Sequence, residues 1–361
     1  DIAVFLVVLA LRFVIPLFIP RFPLPAILAA LVLDAADQTI FQQFTNLNLD
    51  GYQNYDKALD IFYLTIAFLA VYRNWSNTTA INVARFLWYY RLVGVWLFEV
   101  FQERWLLFVF PNTFEYFFIA YAAIRTQWDP RRLTDRAVIG LAAFIWIFVK
   151  LPQEWWIHIA QNDFTDFMKV DIFGTTPTTS WADAITNRPA VTIALIVAIA
   201  ALIGAAVWLY RKAPPKDWSF RVDVDKPIPY DDIADRPQKS LWIAPAFAEK
   251  LLLVGLIAAI YVSVLDVGTP VYRIVIGTSL IIAASVAVSE FLARRGIEWS
   301  SVGIEFVVLA VVNSAVIGLY AALLGGDVNR SLVLFFGLLL TMIIVLYDRF
   351  LGERAANPAF S

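Results

Sequence analysis

Apolar runs of about twenty residues recur along the whole chain, separated by short polar stretches. A helix needs roughly 20 apolar residues to cross the hydrocarbon core of a bilayer. Runs of that length predict eleven spans: 2–19, 23–44, 57–72, 81–101, 105–125, 137–159, 190–210, 247–266, 271–292, 303–324 and 331–349. The third is short. The first two are parted only by "PRFP" at 20–23, a turn tight enough for a hairpin or a partly re-entrant pair. The expected fold class is all-α, a polytopic integral membrane protein with no separate soluble domain.

Basic residues between the runs orient them, because cytoplasmic loops are rich in Lys and Arg. The stretch 125–136 carries four Arg, and 211–246 carries seven basic residues. Arg294, Arg295, Arg349 and Arg354 mark two further basic segments. The alternate loops 45–56, 160–189, 267–270 and 325–330 are poorer in them. Eleven spans then place residue 1 outside and residue 361 in the cytoplasm. The acidic "VDVDKPIPYDD" at 222–232 reads as a solvated loop, since EF-hand spacing and its glycine are absent.

Composition strengthens the membrane reading. Only 16% of the 361 residues are charged and 60% are hydrophobic, against about 25% charged in a soluble domain. A bacterial or archaeal plasma membrane is the expected location. There is no cysteine and a single histidine, His158. That excludes thiol chemistry, disulfides, zinc-protease motifs and bis-histidine haem. The net charge of -2 gives no case for nucleic acid. The chain begins at Asp1 rather than Met, so its native start is expected upstream.

Polar residues inside the spans gather in the first half. Spans 7 to 11 read as smooth and apolar, so two modules are expected. Residues 1–189 hold the polar site and the outer loop 160–189; residues 190–361 form an apolar module with the cytoplasmic loop 211–246. Any chemistry should lie within 23–170.

With the spans oriented, these residues share one depth, the outer half. The second span carries Asp34, Asp37 and Gln38 within about one turn. The third opens on "YDKALD", with Asp56 and Asp60 four apart on one face. Glu99 and Glu103 end the fourth at the same spacing. In the fifth, Pro111 opens or kinks the helix, and Asn112 and Glu115 follow it. Pro152 bends the sixth, ahead of Glu154 and His158. Arg91 and Lys150 lie nearer the midplane. Carboxylates in a membrane need partners, protons or a cation, and Arg91, Lys150, Arg104 and Lys57 are the expected counter-ions.

Three functions fit this pattern. The first is an enzyme acting on a lipid or lipid-linked substrate at the outer leaflet. Asp34, Asp37, Glu115 and Glu154 are then its catalytic candidates, and Arg91, Lys150, Gln38 and Asn112 would hold an anionic substrate. A divalent metal ion is a candidate cofactor, on His158, Glu154 and Asp60. The layout resembles, in architecture only, multi-pass glycosyltransferases that use lipid-phosphate donors, whose large outer loop and soluble domain have no counterpart in this sequence. The second is a proton- or cation-coupled transporter or channel, opposed by scarce glycine, no internal repeat and no acid series reaching the inner side. The third is a non-catalytic subunit or assembly factor. Membrane lipids are the expected partners in each case.

Overall fold

The computed structural model describes residues 2–45, 52–130, 133–162, 164–213, 245–264, 271–294, 302–324 and 330–355. Among them every regular element is helical. Each of the eleven expected segments forms helix. Five helices are long and apolar enough to cross a membrane: Trp105–Arg125, Asp135–Ile159, Pro189–Lys212, Phe247–Val264 and Leu334–Leu351.

The chain opens with α1 (Ile2–Val14), a tight turn Ile15–Phe18, and α2 (Pro23–Phe44). Pro16 and Pro23 sit in first turns, where a missing N–H costs nothing. The "PRFP" turn makes a hairpin, with α1 and α2 packed together. Its Pro20 carbonyl accepts from Arg73 (2.5 Å) and from Asn74 (2.9 Å), both at the end of α3 (Tyr52–Asn74). The expected short third span is thus a 23-residue helix. Its polar first turns hide its length from a hydropathy reading.

α3 is the centre of the bundle. Every residue from Ile61 to Tyr72 is buried. It packs against α2, α4 (Thr78–Phe101), α10 (Pro245–Val264) and α13 (Arg330–Ala355). Tyr63, Phe68 and Leu69 share one core with Tyr261, Ile343 and Tyr347. The two modules expected from composition therefore have no separate cores: helices from both ends of the chain wrap α3.

Two spans are irregular. The first is broken into α5 (Trp105–Val109) and α6 (Thr113–Arg125). Pro111 cannot donate a helical hydrogen bond, and the chain unwinds there. The second is α7 (Asp135–Ile159). It widens into π-type turns at Ile145–Lys150 and Trp155–Ile159, on either side of Pro152. A wider turn lets a helix pass a proline whose ring would collide with the carbonyl four residues earlier.

α8 (Trp181–Asn187) leads into α9 (Pro189–Lys212), which has no buried residue at all. Tyr210 at its far end touches Gln127 and Trp128. α11 (Val271–Arg294) and α12 (Val302–Leu324) complete the described chain between α10 and α13.

The second half is less smooth than expected. Lys250 is buried and bonds both carboxylate oxygens of Asp348, at 2.8 and 2.6 Å. Glu305 is buried as well. Asn313 links α12 to Thr341 of α13 (3.0 Å) and to Ser285 of α11 (3.2 Å). Each lies in or at the end of a long apolar segment, so average hydropathy conceals them. Interhelical bonds of this kind hold apolar helices together where burial from water supplies no drive.

Candidate functional site

Four aspartates converge on one arginine. Arg12 of α1 is only 6% exposed. Its Nη2 donates to Asp34 (2.5 Å) and Asp60 (2.6 Å). Its Nη1 donates to Asp56 (2.5 Å) and to Asp37. The α1/α2 hairpin and the start of α3 bring the five side chains together. A guanidinium suits this role because its donors form a rigid planar fork.

Burial divides the four acids. Asp37 is 2% exposed, whereas Asp34, Asp56 and Asp60 are 25, 35 and 38% exposed in their side chains. Asp37 is an anchor beneath Arg12, and the other three line an open rim. Carboxylate oxygens of Asp34, Asp56 and Asp60 lie within 4.8 Å of one another. Among the described residues they form the one group of three potential metal ligands. The expected set of His158, Glu154 and Asp60 is therefore not assembled. Asp60 belongs to the Arg12 cluster, and His158 is turned to Glu154.

A second network adjoins the first. Tyr63, one turn below Asp60 on α3, donates to Glu115 Oε1 (2.7 Å). Asn112 donates its side-chain amide to Glu115 Oε2 (2.8 Å) and its backbone N–H to Glu154 Oε1 (3.2 Å). Glu154 also meets Lys150 (3.3 Å) and His158 Nε2 (3.0 Å). Lys150 is buried, bonds Gln153 (3.0 Å) and stands 4.4 Å above the Tyr116 ring. Asp34 and Asp60 lie within electrostatic reach of Glu115 and Arg91 respectively, so the two networks form one polar seam.

The expected counter-ions are only partly used as such. Lys150 pairs with Glu154, and Lys57 pairs with Glu99 at 3.0 Å. Arg91 instead donates to the Phe110 carbonyl (2.9 Å), which the break in the span leaves without a helical partner. Glu103 does not share a face with Glu99. Gln102 takes a left-handed conformation (φ 55°) and ends α4 before it. The side chain of Gln38 lies outside the described residues.

Sequence reasoning missed Arg12, which lies before the expected 23–170 window. A usable signal existed: Arg12 and Asp34 stand at comparable distances on either side of the "PRFP" turn, so a hairpin places them side by side. Also missed was an acid at the opposite end of α3. Glu249 of α10 accepts from Tyr72 (2.5 Å), Arg85 (2.9 Å) and Tyr89 (3.3 Å). Between the two polar ends α3 presents Leu64, Ile66, Phe68 and Leu69, all buried, with Phe68 packed on Trp88 and Phe114.

Comparison with protein-family models, with curated proteins and with solved structures returned no match.

Proposed function

We propose that the chain is a plasma-membrane protein of eleven spans, with residue 1 outside and residue 361 in the cytoplasm. Its acidic seam faces outward and acts on a lipid or lipid-linked substrate in the outer leaflet. The loop charges support the orientation. The reaction rests on one observation: across the two joined networks six carboxylates face four basic side chains, Arg12, Arg91, Lys150 and His158. Such an excess at membrane depth is costly, and the most exposed acids are those free to react.

In this reading Asp34, Asp56 and Asp60 each give one oxygen to Arg12. The other oxygen accepts a proton from a hydroxyl nucleophile or shares a divalent cation with a substrate phosphate. Asp37 positions Arg12. Arg91 holds the anionic head group, since its hydrogen bond goes to the Phe110 carbonyl rather than to a carboxylate. Glu115 and Glu154, bound on both oxygens, position Asn112 and Lys150.

The test is reconstitution of the protein into vesicles of bacterial lipids supplemented with a polyprenyl phosphate, with lipids followed by mass spectrometry. One lipid species should be consumed or formed, and Asp34→Asn and Asp60→Asn should stop this without lowering Tm. Conversion that persists in both variants excludes the assigned acids; no conversion by the wild type excludes the enzyme.

A cation-coupled transporter is the second reading. It is favoured by Glu249 and Asp348, which supply the acids at the other end of the bundle that a transport path needs. The dry layer around Phe68 would then be its gate. Proton or sodium flux into empty vesicles, in the absence of lipid conversion, selects this reading.

A further inference from the structure

We propose that the break between α5 and α6 binds a small monovalent cation, sodium in size and charge, through Asn112 and Thr113. This site needs neither the lipid reaction nor the transport path proposed above.

The argument begins with the cap of α6. "NTFE" at 112–115 is the spacing of a capping box, in which the first side chain accepts from the helix and the Glu reaches back to the first N–H. That box is not made. Asn112 makes no side-chain capping bond. Its backbone N–H goes to Glu154 of α7, and its amide nitrogen goes to Glu115. The oxygen that would have capped the helix, Asn112 Oδ1, is buried without a partner.

Thr113 supplies an independent observation. It is 1% exposed, and its Oγ1 is also buried without a partner. As the first residue of α6 its Cα–Cβ bond tilts toward the helix start, which places its side chain beside the break. Two orphaned oxygens at adjacent residues, both out of solvent, call for a ligand, because unpaired buried polar atoms are costly and rare.

The chemistry of these atoms selects the ligand. A helix N-terminus ordinarily favours an anion. In this break an anion would meet Glu115 and Glu154, and Asn112 Oδ1 can only accept. A cation or a donor is required. The donor set is entirely oxygen: an amide, a hydroxyl and the remaining lone pairs of two carboxylates. Hard cations take such ligands. Magnesium retains waters and calcium takes six to eight oxygens, and neither suits a closed site whose carboxylates already accept from Tyr63, Asn112, Lys150 and His158. A single charge suffices, because the surrounding seam already has more carboxylates than bases. Unwound segments of membrane helices are also where coupling ions are held in general.

The experiment uses the full-length protein purified in a non-ionic detergent. Its Tm is followed while NaCl replaces choline chloride at constant ionic strength. A saturable rise of about 3 °C is expected in sodium, absent in Asn112→Ala and Thr113→Val and retained in Asp34→Asn. If the two variants do not fold, binding of radioactive sodium to the wild type replaces them, with about one ion per chain expected. Equal Tm in sodium and choline, with no bound sodium, means that water alone fills the break and overturns the proposal. So does a response to magnesium or calcium at micromolar concentration that sodium does not reproduce. Retention of the full sodium response in Asn112→Ala moves the ion elsewhere and equally overturns it. None of these outcomes bears on lipid conversion.

Discussion

Arg12 and Asp37 form a buried ion pair between adjacent helices, with 4 and 2% of their side chains exposed. The pair is the floor on which Asp34, Asp56 and Asp60 rest. Arg12 of α1 is thus the common partner of acids on two further helices, α2 and α3, and its removal has a defined effect. Arg12→Gln leaves four clustered carboxylates uncompensated and should cost about 3–5 kcal/mol. Arg12→Lys should lie between, since an ammonium lacks the planar fork. Thermal unfolding of both variants in detergent measures this. A wild-type Tm for Arg12→Gln would show that the aspartates need no partner.

The four aspartates should differ in stability according to burial. Asp37→Asn removes a buried charge-assisted bond and should cost about 1.5–3 kcal/mol. Asp60→Asn removes a half-open like charge and should be neutral or mildly stabilising. Comparing the two Tm values decides it; a larger loss at Asp60 contradicts the division into anchor and rim.

Gly94 faces the break in the fifth span. Side-chain atoms of Phe110 occupy the place where a β-carbon would stand. Gly94→Ala should therefore push Phe110 aside, disturb the Arg91 bond to its carbonyl and cost about 1–3 kcal/mol. The same substitution at Gly255, where a β-carbon meets nothing, is the control. Equal Tm values for the two variants would remove the packing argument.

Lys250 and Asp348 should behave as a unit. Lys250→Met alone leaves Asp348 without its partner and should cost about 3–5 kcal/mol. Adding Asp348→Leu should recover most of that loss, because apolar replacement of both members of a buried pair is often neutral. A double variant no more stable than the single one argues for a role beyond packing.

The helices were readable because apolar runs of fixed length leave little else that they can be. Of the polar residues the sequence singles out, Asp34, Asp60, Glu115, Glu154, Lys150, Asn112 and His158 lie in adjoining hydrogen-bonded networks. Their pairing was not readable, because it depends on how helices distant in sequence face one another. Arg12 looked like an interruption in an apolar run until the hairpin set it against Asp34. His158 and Asp60 carried plausible ligand chemistry, but His158 bonds Glu154 and Asp60 bonds Arg12. Lys250 and Asp348 are 98 residues apart, and each has an oppositely charged neighbour in sequence, Glu249 and Arg349, so no local pattern joins them to each other.

The bareness of α9 has a consequence for how this chain can vary. From Ile61 to Tyr72 every side chain is enclosed by neighbours of fixed shape, and a methyl group gained or lost there is felt by the whole bundle. From Pro189 to Lys212 no side chain is buried among the described residues and the far-end contact is that of Tyr210, so apolarity and helical propensity are the main remaining demands. The two segments should therefore diverge at different rates in descendants of this sequence. Exchanges among Ile, Leu, Val and Ala will accumulate freely in the first-named helix, α9, while the central one stays almost unchanged.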